Sequence, residues 1–219
     1  MKRPVSIYVI DDHQVVRKGL SLLLNSTDGF VVCGGTGDAD MALRELNSLN
    51  PDIVIVDISL KGINGFELTK AIRERYKNVQ ILIHSMHNDS SYAERAIRLG
   101  ARGYVAKSEP VGNVVKAINC ILNGEIYINE DLKDELLGKF LKPAGDPDNF
   151  TDSLTARELD VFKGIGSGLS LKEIADNLGL STKTIQTYRD RIKEKMNLKK
   201  SNDLIRIAYN WVSSNQKDS

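Results

Sequence analysis

About the first 125 residues alternate between short apolar runs and amphipathic stretches, and this alternation restricts the possible folds more than any other feature. The apolar runs, rich in β-branched residues, read VSIYVI, FVVCG, DIVIVDI, VQILIH and GYVAK, and a helical pattern follows each of them. Parallel strands require crossover connections, which helices of this length supply. The pattern therefore predicts an α/β domain with a doubly wound parallel sheet, in which ligands bind at the carboxyl ends of the strands.

The chain changes character after KPAGDPDNFTDS, a region without hydrophobic periodicity that predicts a linker. Beyond it no strand pattern remains. Capping boxes predict N-caps at Ser91 in the first part of the chain, and at Thr155 and Ser170 in the second. We therefore expect an α/β domain at 1–125, a helical extension and linker at 126–150, and a smaller all-α domain of four helices at 151–219.

The composition excludes a membrane protein. The chain is 41% hydrophobic and 27% charged, and none of its apolar stretches approaches the roughly 18 residues of a membrane span. Acidic residues follow the short apolar run at the N-terminus, so we predict a cytoplasmic protein without a signal peptide or a membrane partner. The two cysteines, Cys33 and Cys120, lack metal-ligand spacing and are predicted to be reduced thiols in the core.

Carboxylates follow the first and third predicted strands, with Asp11 and Asp12 in YVIDDH and Asp57 in DIVIVDI. If these strands are neighbours, all three acids reach the same edge of the sheet. Two carboxylates about 4 Å apart repel by roughly 4 kcal/mol at an effective dielectric near 20, so they must share a proton or a cation. An oxygen-only cluster suits Mg²⁺. Acids that are merely solvated or cap helices are the simpler alternative.

Two further strand ends add a hydroxyl and an ammonium group, from Ser85 in ILIHSM and Lys107 in GYVAKS. Together with the acids and a divalent ion, these groups can stabilise a phosphoryl group passing to a carboxylate oxygen, for which Asp57 is the best nucleophile. Taken singly, they would be a strand-end cap and a surface lysine. His84, in the same strand as Ser85, is predicted to be a hydrogen-bonded core histidine, with a pH-sensitive role as the alternative.

In order and spacing, these elements resemble the receiver domain of two-component response regulators. The resemblance covers about 120 residues and includes Tyr104, three positions before Lys107. It implies a flavodoxin-like five-stranded sheet in the order 2-1-3-4-5. It also implies that Asp57 accepts a phosphoryl group from a sensor histidine kinase, and that the chain is not an enzyme beyond its own phosphorylation and dephosphorylation.

The resemblance also assigns roles to the site residues. Mg²⁺ would be held by Asp11, Asp12, Asp57 and the backbone carbonyl of Ser59, and Lys107 would pair with the acyl phosphate. The hydroxyl of Ser85 and the ring of Tyr104 would act as the switch, although Tyr104 as plain core packing is an alternative. The sequence departs from the family in SLKG, where Lys61 replaces a proline, so loop dynamics and phosphate lifetime are open.

The segment LSTKTIQTYRDRIKEKM predicts a helix with two different sides. Ile185, Tyr188, Ile192 and Met196 recur at helical spacing and mark the packed side. The opposite side carries Lys183, Gln186, Thr187, Asp190 and Arg191. Because a short helix and a glycine turn precede it, the helix is typical of a helix-turn-helix recognition element, and the C-terminal basic excess suits a polyanion. A merely solvated helix is the alternative.

The chain from Leu154 to about Trp211 resembles the DNA-binding domain of the LuxR/NarL family in LTARE, GLSLKEIADNLGLS, KTIQTY and RIKEKMNL. The resemblance implies binding to double-stranded DNA. It also implies that the helix in SNDLIRIAYNWV pairs with its copy in a homodimer on activation. Base contacts would come from Gln186, Thr187 and Asp190, and phosphate contacts from Lys183, Thr184, Tyr188 and Arg191.

Three functions compete. The first is a DNA-binding response regulator in which phosphorylation of Asp57 switches dimerisation and DNA binding. The second is a phosphohydrolase with an aspartyl-phosphate intermediate, which would require an acid two residues after the nucleophile, where Ser59 stands. The third is a phosphorylation-independent DNA-binding regulator whose first domain serves as a dimerisation module.

Overall fold

The computed structural model describes residues 3–60, 64–133, 151, 153–198 and 200–216. The chain separates into two compact units, Met1–Leu136 and Leu137–Ser219. Most of the predicted extension and linker, and Lys61 of the departing loop, lie outside the described residues.

In the first unit, strands and helices alternate as the sequence predicts. The strands are β1 (Val5–Ile10), β2 (Phe30–Thr36), β3 (Ile53–Val56), β4 (Gln80–Ser85) and β5 (Gly103–Ala106). The helices between and after them are α1 (Gln14–Asn25), α2 (Ala39–Leu49), α3 (Gly65–Arg75), α4 (Ser90–Arg98) and α5 (Gly112–Leu122). All strand pairs are parallel and the order is β2-β1-β3-β4-β5, which confirms the predicted doubly wound sheet.

The register of the two central strands determines where the acids lie. All four residues of β3 are buried, as a strand covered by helices on both faces requires. Ile10, the last residue of β1, pairs with Val56, the last residue of β3. The ladder continues one step further, since the N–H of Asp57 donates to the carbonyl of Ile10 at 2.8 Å. Asp11 and Asp57 therefore emerge side by side from neighbouring strands.

The start of α3 packs directly on the backbone of Asp57. A Cβ added at Gly65 would lie 2.2 Å from the carbonyl oxygen of Asp57 and 2.5 Å from the Cα of Ile58. The N–H of Gly65 also donates to the carbonyl of Ile58 at 3.0 Å. Glycine is required here because no larger residue allows this approach.

The predicted N-cap of α4 is wrong. The helix begins at Ser90, and its cap is Asp89, whose side chain accepts a hydrogen bond from the N–H of Ser91 at 2.8 Å. Asp and Ser are both strong N-caps. The backbone turns into the helix two residues before Ser91, so Asp89 takes the role.

The second unit is helical, and the predicted four-helix domain is confirmed. Its described residues form α6 (Ala156–Gly166), α7 (Leu171–Leu178), α8 (Thr182–Lys195) and α9 (Ser201–Gln216). Both predicted capping boxes are present, at Thr155 with Glu158 and at Ser170 with Glu173. A left-handed glycine, Gly179 (φ 64°), ends α7 and begins the turn into α8.

Besides its capping box with Thr155, Glu158 forms an ion pair with Lys195. It is 2% exposed, and its Oε2 lies 2.7 Å from Nζ of Lys195 near the end of α8. The same ammonium donates to the carbonyl of Ser153 at 3.0 Å. Nearby, the rings of Phe162 and Trp211 meet edge to face at 5.8 Å. Lys195 thus forms a contact between α6 and α8.

The two cysteines are free, but they are half-buried and not in the core as predicted. Burial raises the pKa of both thiols, and a hydrogen bond to Glu125 adds to this at Cys120. Among the described residues, no helix is both long and apolar enough to cross a membrane.

Candidate functional site

Lys107 connects the two acids at the ends of the central strands. Its Nζ lies 2.6 Å from Oδ2 of Asp11 and 2.7 Å from Oδ2 of Asp57, and the three side chains are at most 7% exposed. Burial alone lowers the pKa of a lysine, but the hydrogen bonds to Asp11 and Asp57 more than offset it, so the pKa of Lys107 is raised. The ammonium is therefore a fixed charge between two carboxylates.

Asp12 completes the acidic cluster. Ligand atoms of Asp11, Asp12, His13 and Asp57 all lie within 4.8 Å of one another. Nδ1 of His13 is 2.7 Å from Oδ1 of Asp12, which is an ion-pair distance. That buried oxygen nevertheless lacks a hydrogen bond of acceptable angle from any described residue. An underused carboxylate oxygen within a set of acids is what a hard divalent cation prefers.

Backbone N–H groups orient the remaining carboxylate oxygens. Oδ1 of Asp57 accepts from the N–H of Ser59 at 3.0 Å, and Oδ1 of Asp11 accepts from the N–H of His13 at 2.8 Å. Each acid is thus held from two sides, by a backbone donor and by Lys107. The side-chain hydroxyl of Ser59 faces Nε2 of His87 at 3.4 Å.

Ser85 and Tyr104 are both tied to the loop after β4. The hydroxyl of Ser85, at the end of that strand, accepts from the N–H of His87 at 3.2 Å. The hydroxyl of Tyr104 donates to the carbonyl of the same residue at 2.8 Å. Tyr104 is fully buried, and burial raises its pKa. His87 stacks on Tyr92 with ring centroids 4.1 Å apart. The two predicted switch residues therefore share one partner.

His84 is buried as predicted, at 7% exposure, but it is not the satisfied core histidine that the sequence suggests. Its Nδ1 has no hydrogen-bond partner among the residues the structure describes. Burial, followed by the charge of Lys107, lowers its pKa to about 4, although the acids of the site oppose the shift. His84 is therefore a neutral imidazole beside the acidic cluster at neutral pH.

In the second unit, α8 presents the predicted polar side to solvent. Ile185 and Ile192 are fully buried, as predicted for the packed side of this helix. The other two residues of that side, Tyr188 and Met196, are only partly buried. Lys183, Thr187 and Arg191 are exposed, whereas Gln186 is partly exposed. One surface pocket contains all four predicted phosphate contacts, and its lining consists of Ser181, Lys183, Thr184, Thr187, Tyr188 and Arg191.

Asp190 is engaged within its own helix. Its Oδ1 lies 3.0 Å from Nζ of Lys193, and Nε2 of Gln186 lies 3.4 Å from each carboxylate oxygen. The hydrogen bond from Lys193 is the main reason that the pKa of Asp190 is lowered. Asp190 therefore contacts the side-chain amide of Gln186, which is another of the predicted base contacts.

The structure brings the predicted residues into two groups. Asp11, Asp12, Asp57 and Lys107 form one cluster, with Ser59 beside it, and the predicted DNA contacts share one surface of the second unit. The sequence reasoning missed His13 and His87. His13 directly follows the acid pair in the sequence, which is a signal that could have identified it. His87 is placed by the loop after β4 and carries no such signal.

Each of the two units matches a known protein family. Residues 7–119 match the model of the response regulator receiver domain, and residues 152–208 match that of the bacterial regulatory proteins of the luxR family. The oxygen regulatory protein NreC of Staphylococcus carnosus is 32% identical over 209 aligned residues, and the match covers 93% of this chain and 96% of NreC.

Solved structures show the same fold. A LuxR-family two-component response regulator from Aurantimonas sp. SI85-9A1 is 35% identical, with a TM-score of 0.60 over 64% of this chain and 99% of that one. RcsB of Salmonella typhimurium is 24% identical, with a TM-score of 0.59 over 97% of this chain and all of RcsB (100%). With a receiver domain followed by a luxR-type helix-turn-helix domain, the chain belongs to the LuxR family of DNA-binding two-component response regulators.

Proposed function

We propose that Asp57 accepts a phosphoryl group from a sensor histidine kinase, and that this modification switches dimerisation and DNA binding and so controls transcription. The observation that carries the proposal is the position of Lys107, whose ammonium lies within 2.7 Å of both Asp11 and Asp57 at a buried sheet edge. A buried nucleophile flanked by a fixed positive charge suits transfer of a phosphoryl group to a carboxylate.

Each residue of the site has a separate task in the transfer. A carboxylate oxygen of Asp57 forms the new bond to phosphorus, while the bond from phosphorus to the donor's histidine nitrogen breaks. Lys107 neutralises charge on the acyl phosphate, because its ammonium already contacts the acceptor carboxylate at 2.7 Å. The N–H of Ser59, 3.0 Å from Oδ1 of Asp57, orients that carboxylate.

The residues at this edge fit a magnesium ion. The donor set consists mainly of carboxylates, and the buried Oδ1 of Asp12 accepts no well-angled hydrogen bond from the described residues. Asp11, Asp12 and Asp57 would hold the ion together with the backbone carbonyl of Ser59. When bound, Mg²⁺ supplies charge neutralisation for the phosphoryl oxygens.

Ser85 and Tyr104 are the groups that would sense the modification. Both bond to His87, through its N–H and its carbonyl respectively. A rotation of the Ser85 side chain toward a phosphoryl oxygen would move its Oγ away from the N–H of His87. Of these two residues, only Tyr104 would then still bond to the loop after β4, so a local change of charge would alter the surface that this loop presents.

Two surfaces of the second unit support the DNA-binding half of the proposal. One surface pocket on α8 is lined by the four residues that would meet phosphates, Lys183, Thr184, Tyr188 and Arg191, and also by Thr187, a predicted base contact. On α9, Ile205 and Tyr209 lie one turn apart and are 46% and 61% exposed. We propose that this apolar stripe pairs with its copy in the active homodimer.

Intact-mass spectrometry tests the acceptor directly. The full chain is incubated with acetyl phosphate and Mg²⁺, and we expect the gain of one phosphoryl group by the wild type and none by Asp57→Asn. A gain by Asp57→Asn would refute the site. A wild-type chain that never gains the group would favour a phosphorylation-independent regulator. Steady turnover of acetyl phosphate at enzyme-like rates would favour the phosphohydrolase.

A further inference from the structure

The chain that follows α5 extends the sheet beyond β5. Tyr127 forms a parallel bridge with Gly103, and its backbone exchanges hydrogen bonds with the residues on either side of that glycine. The N–H of Tyr104 donates to its carbonyl at 2.9 Å, and its own N–H donates to the carbonyl of Arg102 at 3.0 Å. The beginning of the connecting segment, residues 125–133, is therefore fixed to the edge strand that carries Tyr104.

A single carboxylate joins this segment to the loop that carries Lys107. Oε1 of Glu109 accepts from the N–H of Ala106 at 3.0 Å and from Nδ2 of Asn129 at 2.9 Å. Its other oxygen accepts from Nδ2 of Asn113 at 2.9 Å. Glu109 lies two residues after Lys107 and accepts a hydrogen bond from the N–H of Ala106, the residue just before Lys107. The position of Glu109 is therefore coupled to that of the Lys107 backbone.

Asn129 is also the start of a helix. Its Oδ1 accepts from the N–H of Leu132 at 2.9 Å, and its carbonyl accepts from the N–H of Lys133 at 3.0 Å. Residues 130–133 are helical, and Leu132 is 4% exposed. The side-chain amide of Asn129 thus caps this helix through its oxygen and donates a hydrogen bond to Glu109 through its nitrogen.

Lys107, the first residue of the loop between β5 and α5, is held through both its backbone and its side chain. The N–H of Lys107 donates to the carbonyl of Ser85 at 2.6 Å, while its ammonium contacts Asp11 and Asp57. A new group on Asp57 would give Lys107 a different partner to neutralise. Because Glu109 bonds to both Ala106 and Asn129, a shift of this loop also displaces Asn129.

We propose that Glu109 is a positioning residue that, through Asn129, couples the Lys107 loop to the segment leading to the DNA-binding unit. The inference rests on the proposed function and adds the route by which the state of Asp57 reaches the second half of the chain. Energetic coupling between two sites requires a physical connection that can adopt two arrangements. The carboxylate of Glu109 supplies that connection between the Lys107 loop and Asn129.

Two substitutions of Asn129 separate its two roles. Asn129→Asp keeps the capping oxygen for Leu132 but places a second carboxylate against Glu109. Asn129→Ser also keeps a capping oxygen and is too short to reach Glu109. Asn113→Ala is the matched control, because it removes a hydrogen bond of the same length from Glu109 without touching the connecting segment.

The measurement is the ratio of DNA dissociation constants of the full chain before and after phosphorylation with acetyl phosphate and Mg²⁺. The DNA is a duplex selected from a random-sequence library by the phosphorylated wild type, and intact mass reports phosphorylation. We expect all variants to gain the phosphoryl group, and the ratio to fall about 2- to 30-fold for Asn129→Asp and Asn129→Ser but to stay unchanged for Asn113→Ala.

The outcomes separate this inference from the function on which it rests. Wild-type ratios in both Asn129 variants would overturn the coupling and leave the proposed function intact. A fall in Asn113→Ala equal to theirs would also overturn it, since the effect would then belong to Glu109 in general. If Asn129→Asp fails to fold, Asn129→Ser decides the question. A wild type that gains no phosphoryl group, or whose ratio is one, would refute the proposed function itself.

Discussion

Nζ of Lys107 lies 2.7 Å from Oδ2 of Asp57, and the two side chains are 7% and 0% exposed. Asp11 shares the same ammonium at 2.6 Å. Removing the ammonium of Lys107 leaves two buried carboxylates without their partner. We therefore expect Lys107→Met to lower the free energy of unfolding by about 3–5 kcal/mol. Urea denaturation followed by far-UV circular dichroism measures the loss. Lys116→Met, at an exposed position of α5, is the control, and equal losses in the two variants would contradict the assignment.

His84 predicts how stability depends on pH. Its folded-state pKa of about 4 lies below the ordinary value of 6.5, so the unfolded chain binds more protons in this window. Stability therefore falls as the pH falls from about 6.5 to 4. We expect a loss of about 2 kcal/mol between pH 7 and pH 5 from this residue, and a correspondingly flatter profile for His84→Leu in urea titrations at the two pH values. The same slope in both proteins would show that His84 is not the titrating group.

Gln186 and Lys183 are expected to act differently on DNA, because one side chain can read a base edge and the other meets phosphate. Gln186→Ala should relax the preference at one base pair by about 1–3 kcal/mol. Lys183→Ala should weaken binding to all duplexes alike and reduce the slope of log K against log salt by about one. Binding to selected and random duplexes over a series of salt concentrations distinguishes the two. Equal effects of both variants on both kinds of DNA would rule out α8 as the reading helix.

Asp190 is expected to act through Gln186, since the amide nitrogen of Gln186 lies 3.4 Å from both of its oxygens. An amide held by its nitrogen keeps its oxygen, and one N–H, available for a base. Asp190→Ala should therefore alter the preference at the base pair that Gln186→Ala alters, and should add nothing in the Gln186→Ala background. A full double-mutant cycle checks this. An effect at a different base pair that persists in the double variant would mean that Asp190 reads a base by itself.

The sheet and the acid cluster were predictable because both follow from one-dimensional patterns. A strand buried on both faces appears as an unbroken β-branched run, and the carboxylate after such a run must lie at the sheet edge. The amino-acid sequence alone is therefore enough to locate Asp57 and Asp11. Lys107 belongs to the same class, since it directly follows β5.

The errors arose where a contact depends on the path of the backbone. Asp89 and Ser91 both satisfy the pattern of an N-cap, and the first helical residue alone decides between them. Lys195 belongs to the C-terminal basic excess that suits a polyanion, yet its partner Glu158 is 37 positions away. Charge patterning along the chain does not reveal such a pair. The hydrogen bond between Asn129 and Glu109, 20 positions apart, leaves no mark on the sequence for the same reason.

DNA affinity measured with and without phosphorylation tests the central claim most directly, which is that the state of Asp57 controls the second unit. A duplex selected from random sequence is titrated with the wild type and with Asp57→Asn, each before and after treatment with acetyl phosphate and Mg²⁺. We predict that treatment tightens binding by the wild type, on the order of 5- to 150-fold, and leaves Asp57→Asn unchanged. Unchanged binding by a wild type that carries the phosphoryl group, or equal tightening of Asp57→Asn, would contradict the account.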